Sequence, residues 1–116
     1  MSLAVRFNKI RPNILFHLAA ETHVDNSIDN PDDFITTNII GTYNILKACK
    51  IYNESSNVKK NFKIICISTD EVFGECKNDE KFNEFSSYNP RSPYSASKAS
   101  ADHLAKSYFH TYGLPV

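Results

Sequence analysis

Tyr94 and Lys98 stand four residues apart in the run Ser92-Pro93-Tyr94-Ser95-Ala96-Ser97-Lys98. On a helix that spacing puts the phenol and the ammonium on one face, a turn apart, within reach of a shared ligand. A nearby cation favours the phenolate, so Tyr94 could act as a base near neutral pH although a free phenol has a pKa of about 10. Lys98 carries several donors, which suits vicinal hydroxyls. An exposed Tyr and Lys on any helix would look the same, so the pair needs support from upstream.

That support begins with Ser68-Thr69-Asp70-Glu71-Val72-Phe73-Gly74, a hydroxyl and two acids directly after an apolar run. Adjacent carboxylates repel, and one of them can have its pKa raised into the range of a general acid. The alternative is a solvated turn closed by a side-chain hydrogen bond to the backbone. Leu18-Ala19-Ala20-Glu21-Thr22-His23-Val24-Asp25 follows another apolar run, and its two alanines would let a flat ligand approach the backbone; ordinary small-residue packing is the alternative. His17 and His23 read as structural or substrate-lining, since no set of carboxylates and histidines has metal-ligand spacing. His103 and His110 read as helix surface residues, and Asp79, Glu80, Glu84 and Asp102 as solvated charges.

The elements that must position these residues alternate. Leu3 to Ile10 reads as the tail of a helix closed by Pro12 and Asn13. Asn13 to Leu18 is a short apolar run between turn residues, as in a buried parallel strand. A polar loop from Ala19 to Asn30 precedes a helix with Asn30 as N-cap, Pro31 at N1 and Asp32 and Asp33 in its first turn. Its apolar face is Ile35, Ile39, Thr42, Leu46 and Cys49, and it runs to about Tyr52. Gly41 in mid-helix predicts close packing against a strand. Asn53 to Asn61 is a polar connection, Phe62 to Ser68 the second buried strand, and Thr69 to Arg91 a long loop with a charged run from Lys77 to Lys81. Loops of that length in a compact domain are commonly functional. A last helix opens at Ser92-Pro93, runs through Tyr108 and stops near Gly113-Leu114-Pro115, after which Val116 would begin another strand.

Helix, strand, helix, strand, helix is the order of an α/β fold with a doubly wound parallel sheet. Ligands of such sheets bind at the carboxyl ends of the strands, where the loops after Leu18 and Ser68 both fall. The 116 residues amount to one domain at most. A net charge of zero with scattered basic residues gives no footprint for nucleic acid or anionic lipid. There is neither a long apolar run nor a basic-then-apolar leader, so the expectation is a cytoplasmic setting without membrane contact. Cys49, Cys66 and Cys76 lack metal-ligand spacing and read as reduced thiols, the first two in the core. Asn53-Glu54-Ser55 matches a glycosylation sequon by chance in that setting.

The three motifs above, together with Asn38-Ile39-Ile40-Gly41-Thr42, resemble the extended short-chain dehydrogenase/reductase family, and within it the nucleotide-sugar 4,6-dehydratases that act on dTDP-glucose. The likeness covers nearly the whole chain, in order. It implies a Rossmann fold and a tightly held NAD that is reduced and reoxidised within one turnover. It implies that Tyr94 is the base for the sugar 4-hydroxyl, and that Lys98 binds the nicotinamide ribose and depresses the Tyr94 pKa. Glu71 would take the C5 proton, Asp70 would protonate the departing 6-hydroxyl, and Thr69 would hydrogen-bond the 4-oxygen. Leu18, Ala19, Ala20, Glu21 and Thr37 match cofactor-contacting positions, Thr22 a substrate-contacting one, and Asn38 a structural asparagine. Phe73 stands where Tyr is common. Epimerases share the Tyr/Lys pair but need no acid and base for elimination, which makes Asp70-Glu71 the discriminating feature.

Two departures accompany the likeness. The chain lacks the glycine-rich G-x-x-G-x-x-G fingerprint that cradles a pyrophosphate, and it ends before the segments that complete the sheet and form the sugar-nucleotide domain. The expectation is therefore that residues 1–116 are the central part of a Rossmann NAD-binding domain, homodimeric through helices over Ile39 to Tyr52 and Ala99 to Tyr108. Two alternatives stay open: a UDP- or GDP-sugar dehydratase or epimerase, and a catalytically silent fragment acting only in assembly.

Overall fold

The computed structural model describes residues 2–76 and 81–116. Two short strands, β1 (Ile14–His17) and β2 (Lys63–Cys66), pair in parallel, with Ile14 opposite Lys63 and His17 opposite Cys66. Successive side chains of a strand point to opposite faces. Leu15 and its neighbour Ile64 turn inward, while Ile14, Phe16 and Ile65 stay 48%, 58% and 39% exposed on the other face. The strands are thus shorter than the apolar runs, and only one face of the pair is covered, a correction to the expectation of strands buried on both faces.

Helix α1 (Leu3–Ile10) is capped by Ser2, whose hydroxyl accepts the Val5 N–H, and closes on Arg11 in the left-handed region at φ 55°. The segment from Ala19 to Asn30, expected as a loop, contains α2 (Val24–Asp29). Apolar periodicity does not mark it. Ser27 is fully buried with its hydroxyl on the Val24 carbonyl, and α2 packs against the last helix, so tertiary packing supplies what local pattern lacks.

The long helix also departs from its expected form. Asn30 does not cap it but ends α2, donating its N–H to the Asn26 carbonyl, and the cap position falls on Pro31. Helix α3 (Asp32–Phe34) runs through a π-helical stretch (Ile35–Ile40) into α4 (Gly41–Asn53). The wider π turn shifts the buried stripe by one residue, so Phe34 and Asn38 precede Thr42, Leu46 and Cys49 inside, and Ile35 is 45% exposed. A Cβ on Gly41 would meet only the Thr36 carbonyl of the same helix, at an ordinary 3.7 Å; no strand presses on it.

Helix α5 (Pro93–Tyr112) starts as expected. Ser92 and Ser95 form a reciprocal capping box, Pro93 fills the first turn, and Gly113 closes the helix at φ 63°. The core lies between α1, α4, α5 and the covered face of the sheet. There Tyr52 packs edge-on to Phe7 and Phe62, with Leu46, Cys49, Ile64 and Leu114 around it. Burial pushes the Cys49 thiol up to about 12. Cys66 is half-buried and Cys76 exposed; all three are free thiols. Past α5, the Pro115 carbonyl accepts the Ile64 N–H at 2.8 Å, so the chain returns alongside β2. Among the described residues no helix is long and apolar enough to cross a membrane.

Candidate functional site

Because β1 and β2 are parallel, both carboxyl ends lie at one edge of the sheet, and the candidate residues leave from there. After β1, Leu18 is 66% exposed, Ala19 is exposed and Ala20 half-buried. The next residue, Glu21, is gripped by its backbone. The Asn38 side chain accepts the Glu21 N–H at 2.9 Å and donates to the Glu21 carbonyl at 3.0 Å. Asn38 is 1% exposed, sits in the π turn, and also donates to Ser97 Oγ at 2.8 Å. Ser97 in turn donates to the Tyr94 carbonyl at 2.7 Å. One asparagine therefore couples the strand-end loop to the Tyr/Lys helix. Thr37 is half-buried in the same π turn, and Thr22 is exposed just before α2.

Tyr94 is 8% exposed, its ring edge-on to Phe34 with centroids 6.3 Å apart. As the second residue of α5 it has a backbone N–H with no partner inside the helix. Ser27 Oγ accepts it at 3.1 Å. Lys98, one turn on, is half-buried and donates from Nζ to the Ile67 carbonyl at 2.6 Å, directly past the end of β2. The α5 face is thereby held against the carboxyl end of the sheet. His17, at the end of β1, shares a 2.9 Å hydrogen bond with Thr42. Burial first, and then the Lys98 charge, hold its pKa below the usual value, so the imidazole is neutral near pH 7 and does not add a second cation.

Thr69 to Phe73 form a tight turn: Thr69 is the N-cap of a 3₁₀ helix (Asp70–Phe73), its hydroxyl accepting the Glu71 N–H at 3.3 Å. The turn closure weighed from sequence is therefore present, but Thr69 supplies it and both carboxylates are left exposed for other work. Glu71 borders a cleft of about 340 Å³ whose walls include Val24, Ile28, Arg91 and Ser95. Tyr94 and Lys98 are not among its walls. Among the described residues no three His, Cys, Asp or Glu side chains converge as a metal site would need.

Two residues escaped the sequence reading. Ser27 gave no signal, being one serine in a polar stretch. Asp102 is not a solvated charge: its Oδ2 accepts from Ser68 Oγ and, at 2.9 Å, from Tyr88 OH. The available sign was its place four residues after Lys98, on the same face of α5. His103 and His110 are exposed, as expected. Asp79 and Glu80 lie outside the described residues.

The family described as GDP-mannose 4,6 dehydratase matches residues 1–116. A probable dTDP-glucose 4,6-dehydratase of Sinorhizobium fredii is 49% identical over 112 residues, which are 95% of this chain and 32% of that protein. The dTDP-glucose 4,6-dehydratase of Neisseria meningitidis is also 49% identical over 112 residues, 94% of this chain and 32% of its own length. Among solved structures, DesIV, a dTDP-glucose 4,6-dehydratase from Streptomyces venezuelae with NAD bound, superposes with a TM-score of 0.81 at 34% identity, covering 98% of this chain and 34% of DesIV. UDP-glucose 4-epimerase from Brucella ovis in complex with NAD gives 0.84 at 27% identity, covering 97% and 32%. The chain has the fold of these Rossmann proteins and spans about a third of the length of the curated relatives it matches.

Proposed function

From the premise that the chain belongs to the GDP-mannose 4,6 dehydratase family, we propose that it is the catalytic segment of a dTDP-glucose 4,6-dehydratase. In this reading residues 1–116 are the central part of a nucleotide-binding domain, to which a glycine-rich βαβ unit and a sugar-nucleotide domain would be added. The observation that carries it is the Lys98 contact with Ile67, which draws the Tyr/Lys helix onto the strand end from which Thr69, Asp70 and Glu71 emerge.

The residues present fit one half of NAD. Leu18 and Ala19 are exposed and Ala20 half-buried at a strand's carboxyl end, Glu21 is fixed by Asn38, Thr37 lies on the same π turn, and Lys98 brings an ammonium to the neighbouring strand end. These suit the nicotinamide and its ribose. Bound there, NAD would supply reversible oxidation of the sugar at C4. Tyr94 takes the proton of the 4-hydroxyl, with Thr69 hydrogen-bonding the 4-oxygen. The resulting ketone acidifies the C5 hydrogen. Glu71 removes that proton while Asp70 protonates the 6-hydroxyl, which departs as water. Thr22 contacts the substrate. The product after C6 is reduced is a 4-keto-6-deoxy sugar nucleotide. Epimerases need no such acid and base, so Asp70 and Glu71 favour a dehydratase over the epimerase alternative, and two paired exposed carboxylates beside an intact Tyr/Lys pair argue against a silent fragment.

The same reading places the protein in the cytoplasm as a homodimer through α4 and α5. Support for the dimer is the apolar surface these helices leave open, including Tyr43, Ile51 and Phe109. The function is tested with these 116 residues in place of the aligned third of the Neisseria meningitidis enzyme. Conversion of dTDP-glucose by the chimera is expected, and Tyr94→Phe should lower kcat by about 10²- to 10⁴-fold. A folded chimera without turnover would remove the reading, and full turnover by Tyr94→Phe would remove the assignment of the base.

A further inference from the structure

The turn carrying Asp70 and Glu71 is exposed and short, and a pair of carboxylates on such a turn needs an external brace to stay aimed at one substrate. Helix α5 braces two consecutive residues, Ile67 and Ser68, at the start of the turn. Lys98 takes the Ile67 carbonyl, and four residues later Asp102 takes the Ser68 hydroxyl. The far side of the turn is tied to the same carboxylate by another route. Tyr88 donates its hydroxyl to Asp102 Oδ2 at 2.9 Å while its ring packs edge-on against Phe73, centroids 5.3 Å apart. The Asn89 N–H, next to it, donates to the Val72 carbonyl at 2.9 Å. Ser68, before the turn, and Tyr88, packed on Phe73 at its end, thus meet at one oxygen of one side chain.

We infer that Asp102 is a positioning residue for the elimination step, holding the Asp70-Glu71 turn in register with the Tyr94/Lys98 helix. This rests on the roles given to Asp70 and Glu71 above. Asp102 touches neither of them, so it acts by geometry. Its charge also suits the task, because a carboxylate accepting two hydroxyls forms stronger hydrogen bonds than a neutral acceptor would. The Tyr88 hydroxyl is pushed up to about 12, by partial burial and then by the Asp102 hydrogen bond, so it remains a donor over the working pH range.

The test uses the chimera with Asp102→Asn and Asp102→Ala, and with Ser68→Ala and Tyr88→Phe, which each remove one donor and spare the helix. A displaced acid and base slow proton removal from C5 and loss of the 6-hydroxyl, while oxidation at C4 is untouched. The expected result is a fall in kcat of about 10- to 100-fold, with KM little changed. The isotope effect on substrate deuterated at C5 should grow and that at C4 shrink. The Tyr88 hydroxyl, followed by ultraviolet titration, should shift downward in both Asp102 variants. Wild-type kcat in Asp102→Ala overturns the inference. So does an equal slowing of both steps together with a lower melting temperature, which would mark Asp102 as a structural brace only. If Asp102 variants do not fold, Ser68→Ala and Tyr88→Phe must still raise the C5 isotope effect, or the inference falls. Absence of turnover in the unsubstituted chimera would instead be failure of the proposed function, and the inference would go with it.

Discussion

Asn38 shows how a single buried side chain can tie two elements of a site together. Its amide uses one acceptor and two donor contacts, on Glu21 N–H, Glu21 carbonyl and Ser97 Oγ, in a position that is 1% exposed. No other residue type of that size offers both polarities to one peptide unit. Replacing Asn38 by Ala strands the Glu21 groups and Ser97 partly or fully. Leaving a buried polar group unpaired costs about 1–3 kcal/mol, so Asn38→Ala should lower stability by roughly 3 kcal/mol, read as a shift in the urea midpoint of the chimera. A loss near zero would show that Glu21 finds other partners and that the coupling between strand-end loop and α5 is not structural. Ser27 does related work from the other side: its hydroxyl receives the Tyr94 N–H, a donor that the first turn of a helix cannot satisfy itself. Their sequence separations explain their different legibility. Asn38 sits within a motif that marks a family, whereas Ser27 meets Tyr94 across 67 residues and has no local signature.

At the scale of elements, local chemistry was readable and tertiary compromise was not. The start and stop of α5 follow from Ser92, Pro93 and Gly113, each acting within one turn of itself. The π turn at Ile35–Ile40 leaves no such mark. It inserts an offset that brings Phe34 against Tyr94 and Asn38 against Glu21, contacts set by other elements. Helix α2 was missed for the same reason. Gly74 closes the Asp70–Phe73 turn. It adopts φ 93°, and a Cβ there would lie 2.6 Å from the Asn89 carbonyl oxygen. The same backbone approach lets the Asn89 N–H reach Val72. Gly74→Ala must therefore bear both left-handed strain, about 1–3 kcal/mol, and displacement of the loop that carries Tyr88. The expected outcome is a lower melting temperature together with slower elimination. A variant that is destabilised yet eliminates at the normal rate would separate the turn's fold from its aim.

The whole molecule has one finished face and one bare one. Ile14, Phe16, Ile65 and Ile67 are 39% to 58% exposed along the side of the sheet away from α4 and α5. Covering each side chain of that kind contributes about 1.5–3 kcal/mol, which is large beside the total of about 5–15 kcal/mol that keeps a domain folded. The Cα radius of gyration, 15.6 Å, also exceeds the roughly 13 Å of a compact chain of this length. Both measures say that these 116 residues hold the carboxyl ends of β1 and β2 in place with little stability to spare. In the function proposed above they would offer donors to the nicotinamide half of a dinucleotide, and they carry no glycine-rich loop for its pyrophosphate. On the isolated chain, circular dichroism should therefore show helix, an apolar dye should bind the open sheet face, and calorimetric titration with NAD should give no saturable heat. Saturable binding in the micromolar range would mean that Leu18 to Glu21, Thr37 and Lys98 hold the cofactor unaided. The glycine loop would then add affinity to a site that forms without it, and the view of the chain as half a cofactor site would have to be abandoned.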